Sequence, residues 1–95
     1  MRRSLSLRLT ALEVRSGESV TVQVEAVNVA AAVIEIHAPD TVLISGPHQV
    51  AVGSGSYSKT VSWLVEHAQP ATVTSVEIRA TAGDLVQLAL CKIIG

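Results

Sequence analysis

Phenylalanine is absent from these 95 residues, and the aromatic set stops at Tyr57 and Trp63. A core of stacked rings is therefore excluded, and a base-stacking nucleic-acid surface lacks its usual material. Charge is scarce and balanced, with seven Lys and Arg against eight Asp and Glu and a formal net charge of −1. That balance gives no electrostatic reason to expect a nucleic-acid or anionic-membrane partner. Arg2, Arg3 and Arg8 make the start locally basic, without a second basic cluster elsewhere. Cys91 is the single cysteine, so an intrachain disulfide and a cysteine-based zinc site are both excluded. In a strand-like run it reads as a small core hydrophobe, with intermolecular pairing as the alternative. No apolar run approaches the roughly 20 residues of a membrane-spanning helix, so no membrane insertion is expected. The opening stretch from Met1 to Arg8 does not read as a signal peptide, because Ser6 and Arg8 interrupt any apolar segment.

Val, Ala, Leu and Ile supply most of the apolar content, which reaches 48% and is ample for one core. Branching at Cβ suits a pleated surface, so this composition favours strands. The best-patterned stretch runs from Gly17 to Asn28. Val20, Val22, Val24 and Ala26 alternate there with Thr21, Gln23 and Glu25. Period-2 alternation of that length is the mark of a half-buried strand. Before it, Leu5, Leu7 and Leu9 alternate with polar residues, then the phase shifts to Leu12 and Val14. The shift marks either a bulge or a strand that leaves one sheet for another.

Val29 to Ala32 reads as a loop or crossing, and Ala32, Ile34 and Ile36 as the inward face of a third strand. Short strands are expected over 41–45 and 49–52, with Gly53-Ser54-Gly55-Ser56 as the turn that ends the second of them. From Tyr57 to Val65 the face carrying Val61 and Trp63 is taken as buried. A loop over 66–71 precedes a strand ending at Ala80, with Val76 and Ile78 inward. Gly83 turns the chain into a last strand, Leu85 to Ile94, which is apolar on both faces. Leu88 is assigned to its core face. Leu85, Ala89, Cys91 and Ile93 are assigned to an outer face covered by a partner or by neighbouring sequence. About seven short strands without an amphipathic helix predict one all-β domain over 1–95, a two-sheet antiparallel sandwich. Val20, Val22 and Val24 are expected to face Trp63 across its core.

Gly17-Glu18-Ser19-Val20-Thr21-Val22 followed by Asn28 resembles the opening of CARDB-like and related bacterial and archaeal immunoglobulin-like modules. Gly55-Ser56-Tyr57-Ser58-Lys59-Thr60-Val61-Ser62-Trp63 looks like their second signature, and Ile78-Arg79-Ala80-Thr81-Ala82 is similar to their penultimate strand. These segments extend over roughly two-thirds of the chain. The sequence departs from the pattern at Pro70-Ala71-Thr72-Val73, where such modules usually carry a Pro-Gly-x-Tyr turn. The resemblance implies an immunoglobulin-like fold and a non-catalytic spacer, adhesion or scaffold unit of a larger extracellular or cell-surface protein. Its expected partner is a neighbouring domain or an identical subunit, and no cofactor is expected. Self-assembly through edge strands is the alternative, and carbohydrate binding a distant third.

The residues suited to chemistry are scattered. His37, His48 and His67 form no His-x-His or His-Glu-x-x-His pair, and Asp40 and Glu66 add no tight ligand spacing. Gly53-Ser54-Gly55 is too short for a nucleophile elbow, and no lysine or helix start follows the glycines to cradle phosphate. Tyr57 and Trp63 share a strand face but sit roughly 20 Å apart at six residues' spacing, too far to hold one sugar ring. Trp63 accordingly reads as core.

Overall fold

The computed structural model describes residues 2–68 and 73–95. Seven strands account for most of them: β1 (Ser4–Leu9), β2 (Glu13–Arg15), β3 (Ser19–His37), β4 (Val42–Ile44), β5 (Gln49–His67), β6 (Val73–Ala82) and β7 (Leu85–Ile94). No helix occurs among the described residues. The hydrogen-bonded order is β2-β7-β6-β3-β5-β4, with β1 also paired to β3. The sheet is mixed and not purely antiparallel as expected, because β2 runs parallel to β7, Val14 lying opposite Ile93. The phase shift after Thr10 is thus a change of partner and not a bulge: β1 pairs with β3, and three residues later β2 pairs with β7.

Two strands are much longer than their sequence patterns suggest. The expected crossing at Val29–Ala32 lies inside β3, and the expected Gly-Ser turn lies inside β5. The two pair antiparallel from Ser19↔Leu64 to Glu35↔Gln49, with register breaks between Ala26 and Val33. Nineteen extended residues would span about 60 Å, whereas the longest dimension of the molecule is 49 Å. The β3–β5 ribbon is therefore folded over at its middle. The backbone says where: Asn28 sits at φ 52°, with Gly53 at 104° and Gly55 at 92° on the facing strand. Glycine reaches that region without strain, and asparagine is among the few other residues that tolerate it. Ser56 Oγ also accepts the Asn28 N–H at 3.0 Å, tying the two strands together at the bend.

Folding the ribbon lets β3 serve two neighbours along one side. Its first half pairs with β1, Leu5 opposite Ala26 and Leu9 opposite Val22. Its second half pairs with β6, Ile34 opposite Ala80 and Ile36 opposite Ile78. Both ends of β3 come to the same end of the molecule. The Ser16 N–H reaches the Ile94 carbonyl at 2.8 Å, and the Gly17 N–H reaches the Val65 carbonyl at 2.8 Å. β1 then lies against β7 without pairing to it.

The inward side chains form one cluster from all seven strands. Val20, Val22, Val24, Ile34, Ile36, Val76 and Ile78 are fully buried, and Trp63 is 2% exposed. Every buried side chain in this cluster is apolar or is the Cys91 thiol. Val20 and Trp63 are lateral neighbours in directly paired strands and do not face each other across the core, the arrangement expected from sequence. Val61 is half-buried, near the rim of the same cluster.

The last strand is inverted relative to expectation. Leu88, assigned to the core, is 57% exposed, while Cys91 and Ile93, assigned to an outer contact face, are fully buried. Leu85 and Ala89 lie half-buried on the same inward side. Register explains the phase, since directly opposed residues of an antiparallel pair share a face. Cys91 stands opposite Val76 and Ala89 opposite Ile78, both inward on β6. The other choice would have turned Lys92 into the core, where an unpaired ammonium is costly. The expected loop over 66–71 and the start of the following strand fall partly outside the described residues; Glu66 and His67 themselves belong to β5.

Candidate interaction surfaces

The outward side chains divide into a hydroxyl-rich face and an apolar one. On the first half of the β3–β5 ribbon, alternation turns Thr21, Gln23 and Glu25 outward beside Ser58, Thr60 and Ser62. Thr21 and Ser62 hydroxyls lie 2.8 Å apart, and Gln23 Nε2 donates to Ser58 Oγ at 3.2 Å. With Ser6 and Arg8 of β1, Gln23 and Glu25 line a shallow, open depression of about 230 Å³. Its floor is strand backbone already paired within the sheet.

The three histidines each make a different contact. His37 ends β3 on the outside, with Nε2 3.6 Å from Glu35 Oε2. His48 is exposed just ahead of β5, where its carbonyl accepts the Ile36 N–H at 2.9 Å. His67 ends β5, with its backbone N–H on Ser16 Oγ at 2.8 Å and Nε2 3.1 Å from Thr74 Oγ1. Among the described residues no three His, Cys, Asp or Glu side chains gather closely enough to hold a metal ion.

The aromatics do not form a platform. Trp63 is buried, and its indole N–H donates to the Pro47 carbonyl at 2.9 Å, fixing the chain ahead of β5 against the core. Tyr57 donates its hydroxyl to the Gly53 carbonyl at 3.1 Å, across the ribbon bend. Burial pushes the Tyr57 phenol upward from its ordinary pKa. The Cys91 thiol points inward, its Sγ 3.8 Å from the Ala11 carbonyl oxygen. Burial, and after it the Glu13 carboxylate, raises its pKa, so the thiol is held protonated and shielded from partners.

The apolar surface lies on β7. Val86, Leu88 and Leu90 point outward and are 51%, 57% and 64% exposed. They stand opposite Thr81, Arg79 and Glu77 of β6, whose two charged groups pair with each other at 3.0 Å. β7 is also an incomplete interior strand. On the side away from β6 it pairs with β2 only over Lys92–Ile94. Leu12, whose carbonyl accepts the Lys92 N–H at 3.0 Å, is itself exposed at the end of that pairing. Sequence reasoning found the excess apolar content of this strand but assigned it to the wrong face. The signal that separates the faces is the single charge, Lys92, which shares a side with Leu88 and Leu90.

No helix of the described residues is long and apolar enough to cross a membrane. Comparison with protein-family models gives no match, and comparison with curated proteins gives none either.

Proposed function

We propose that the chain is a non-catalytic interaction module, a spacer, adhesion or scaffold unit that engages protein through the outer surface of β7. The observation that carries this reading is the row Val86, Leu88 and Leu90 on a partly uncovered strand. Three large aliphatic side chains in one row, together with open backbone groups, suit contact with another polypeptide. In this reading the folded-over sheet is an immunoglobulin-like two-layer sandwich. The change of partner along β3, the contact of β1 with β7 without pairing, and the parallel β2–β7 pair all support that architecture. The resemblance to CARDB-like modules supplies the context, a larger extracellular or cell-surface protein.

Photo-crosslinking in the native host tests the contact surface. A benzophenone amino acid at position 88 should yield protein adducts, whereas one at Thr60, on the hydroxyl-rich face, should not. Equal yields at both positions, or none at position 88, would refute the assignment.

A further inference from the structure

We propose that the module bears tension along its long axis, with the β1–β2 segment and β7 acting as the two arms of a shear clamp. This rests on the reading of the chain as a spacer or adhesion unit of a larger protein, and adds a mechanical role to it.

Residues 2–4 and Ile94 lie at opposite poles of the molecule. Strands of ten residues are about 33 Å long, so in a body of 49 × 20 × 18 Å they run along the long axis. At the pole of the ribbon bend, Asn28 Nδ2 donates to the Arg2 carbonyl at 3.0 Å and Ser4 stands opposite Val27. Arg3 reaches Asp84 there, in the β6–β7 turn, at 3.1 Å. At the far pole the Ile94 carbonyl accepts the Ser16 N–H, and Ser16 Oγ accepts the His67 N–H, each at 2.8 Å.

Strand direction sets how a pull is felt. β1 runs from the bend pole towards the far pole, Ser4 opposite Val27 and Leu9 opposite Val22. β7 runs the same way from Leu85 to Ile94, and β2 is parallel to it. A pull that separates Ser4 from Ile94 therefore draws β1 and β7 along their own axes in opposite directions. Ladder hydrogen bonds lie across the strands, so such a pull strains all the bonds of a ladder together. A pull across the strands opens them one after another.

The opposing loads meet at β2. β1 passes the pull through Thr10–Leu12 to β2, the immediate neighbour of β7. The Lys92 N–H donates to the Leu12 carbonyl at 3.0 Å, and the Ser16 N–H to the Ile94 carbonyl at 2.8 Å. Between them, with Val14 opposite Ile93, the alternation of a parallel pair directs the Val14 N–H to the Lys92 carbonyl and the Ile94 N–H to the Val14 carbonyl. The buried Val14 side chain lies in the same core as the fully buried Ile93, so lengthwise sliding also pulls apolar surface into water. Further back, β1 is held to β3 over Ser4–Leu9, and β7 to β6 along its whole length. β4 stands outside this load path, paired only to the end of β5.

Single-molecule force spectroscopy in two pulling directions tests the clamp. Handles at Arg2 and Gly95 load it lengthwise. Azide-coupled handles at positions 75 and 92, which stand opposite each other on β6 and β7, pull that ladder open across its strands. At one loading rate the lengthwise pull should need at least roughly twice the rupture force. Val14→Pro removes a donor from the β2–β7 ladder and should lower the lengthwise force. Leu43→Pro removes a donor from the β4–β5 ladder, off the load path, and should lower the urea midpoint without lowering that force. Where Val14→Pro does not fold, the two directions on the parent chain still decide. Equal forces in both directions, or a fall with Leu43→Pro as large as with Val14→Pro, would overturn the clamp. Equal forces together with adducts from position 88 would remove the clamp and leave the contact surface standing, whereas a strong lengthwise force without those adducts would do the reverse.

Discussion

The phase of β7 decides which residues hold the fold and which are free to meet a partner, and paired truncations on this strand measure it. Ile93 is fully buried, opposite Val14 on one side and Thr74 on the other. Removing three carbons there leaves a cavity that neighbouring strands cannot close, at a cost of about 3 kcal/mol for Ile93→Ala. Leu88 is 57% exposed. Its truncation gives up less than half of the corresponding burial, which at ~0.8 kcal/mol per buried methylene comes to about 1 kcal/mol. The assay is urea unfolding followed by Trp63 fluorescence, at concentrations low enough that self-association contributes nothing. With an m-value of about 1–1.5 kcal/mol/M for a small domain, Ile93→Ala should lower the midpoint by about 2–3 M and Leu88→Ala by under 1 M. Lysine sharpens the contrast: Leu88→Lys should unfold cooperatively near the parent midpoint, whereas Ile93→Lys buries a charge and should abolish the transition. Equal losses at the two positions, or a larger one at Leu88, would refute the inward assignment of Cys91 and Ile93.

Two further outcomes follow from the bend and the thiol. An added Cβ at Gly53 or Gly55 meets no atom within 4 Å, yet both residues lie at positive φ, so Gly53→Ala and Gly55→Ala should each cost about 1–2 kcal/mol in the same assay through backbone strain alone. Cys91 has a folded-state pKa raised by burial, so its contribution is fully present below the thiol's ordinary value and is lost as pH rises through the raised one. Stability should accordingly fall from about pH 8.5 upward, and Cys91→Ala should flatten that fall, leaving the raised phenol of Tyr57 to act only at higher pH.

Much of this fold is legible in the residues because one-face burial writes itself as alternation. Val20, Val22 and Val24 on one side and Thr21 and Gln23 on the other leave a single choice of phase, and the strand adopts it. β7 offers no such contrast. With aliphatics at 85, 86, 88, 90, 93 and 94, period 2 carries little information, and the phase is set by the register with β6 and the placement of Lys92. The folded ribbon was hidden for a different reason. Glycine and serine clusters signal turns locally, but a turn and a continuous strand that bends at two glycines have the same composition. Only the partner strand, with Asn28 facing Ser56 across the bend, distinguishes them. Trp63 was readable as buried, whereas its lateral pairing with Val20 depends on a register that no local pattern specifies.

The length of the open edge on β7 is itself a consequence of where the chain crosses from one neighbour to another. The Thr10 N–H still bonds to the Thr21 carbonyl at 3.1 Å, holding the chain to β3, and only at Leu12 does a carbonyl accept a backbone N–H of β7. Ala11 is the one residue between these two contacts. β2 therefore begins opposite Lys92 and runs away from Leu88, because a parallel pair continues towards Ile94. Had the crossing come several residues earlier, β2 would have started opposite Leu88 and covered the groups now uncovered. Leu9 and Arg8 would then have had to leave Val22 and Gln23, unpairing the end of β1. The same chain cannot satisfy both edges, and the observed crossing completes β3 at the expense of β7. An edge left open by that competition persists in a stable monomer only if it is blunted or occupied. The stretch 85–91 carries none of the charges, prolines or glycines that blunt an edge, so its sequence does nothing to close what the crossing leaves unpaired.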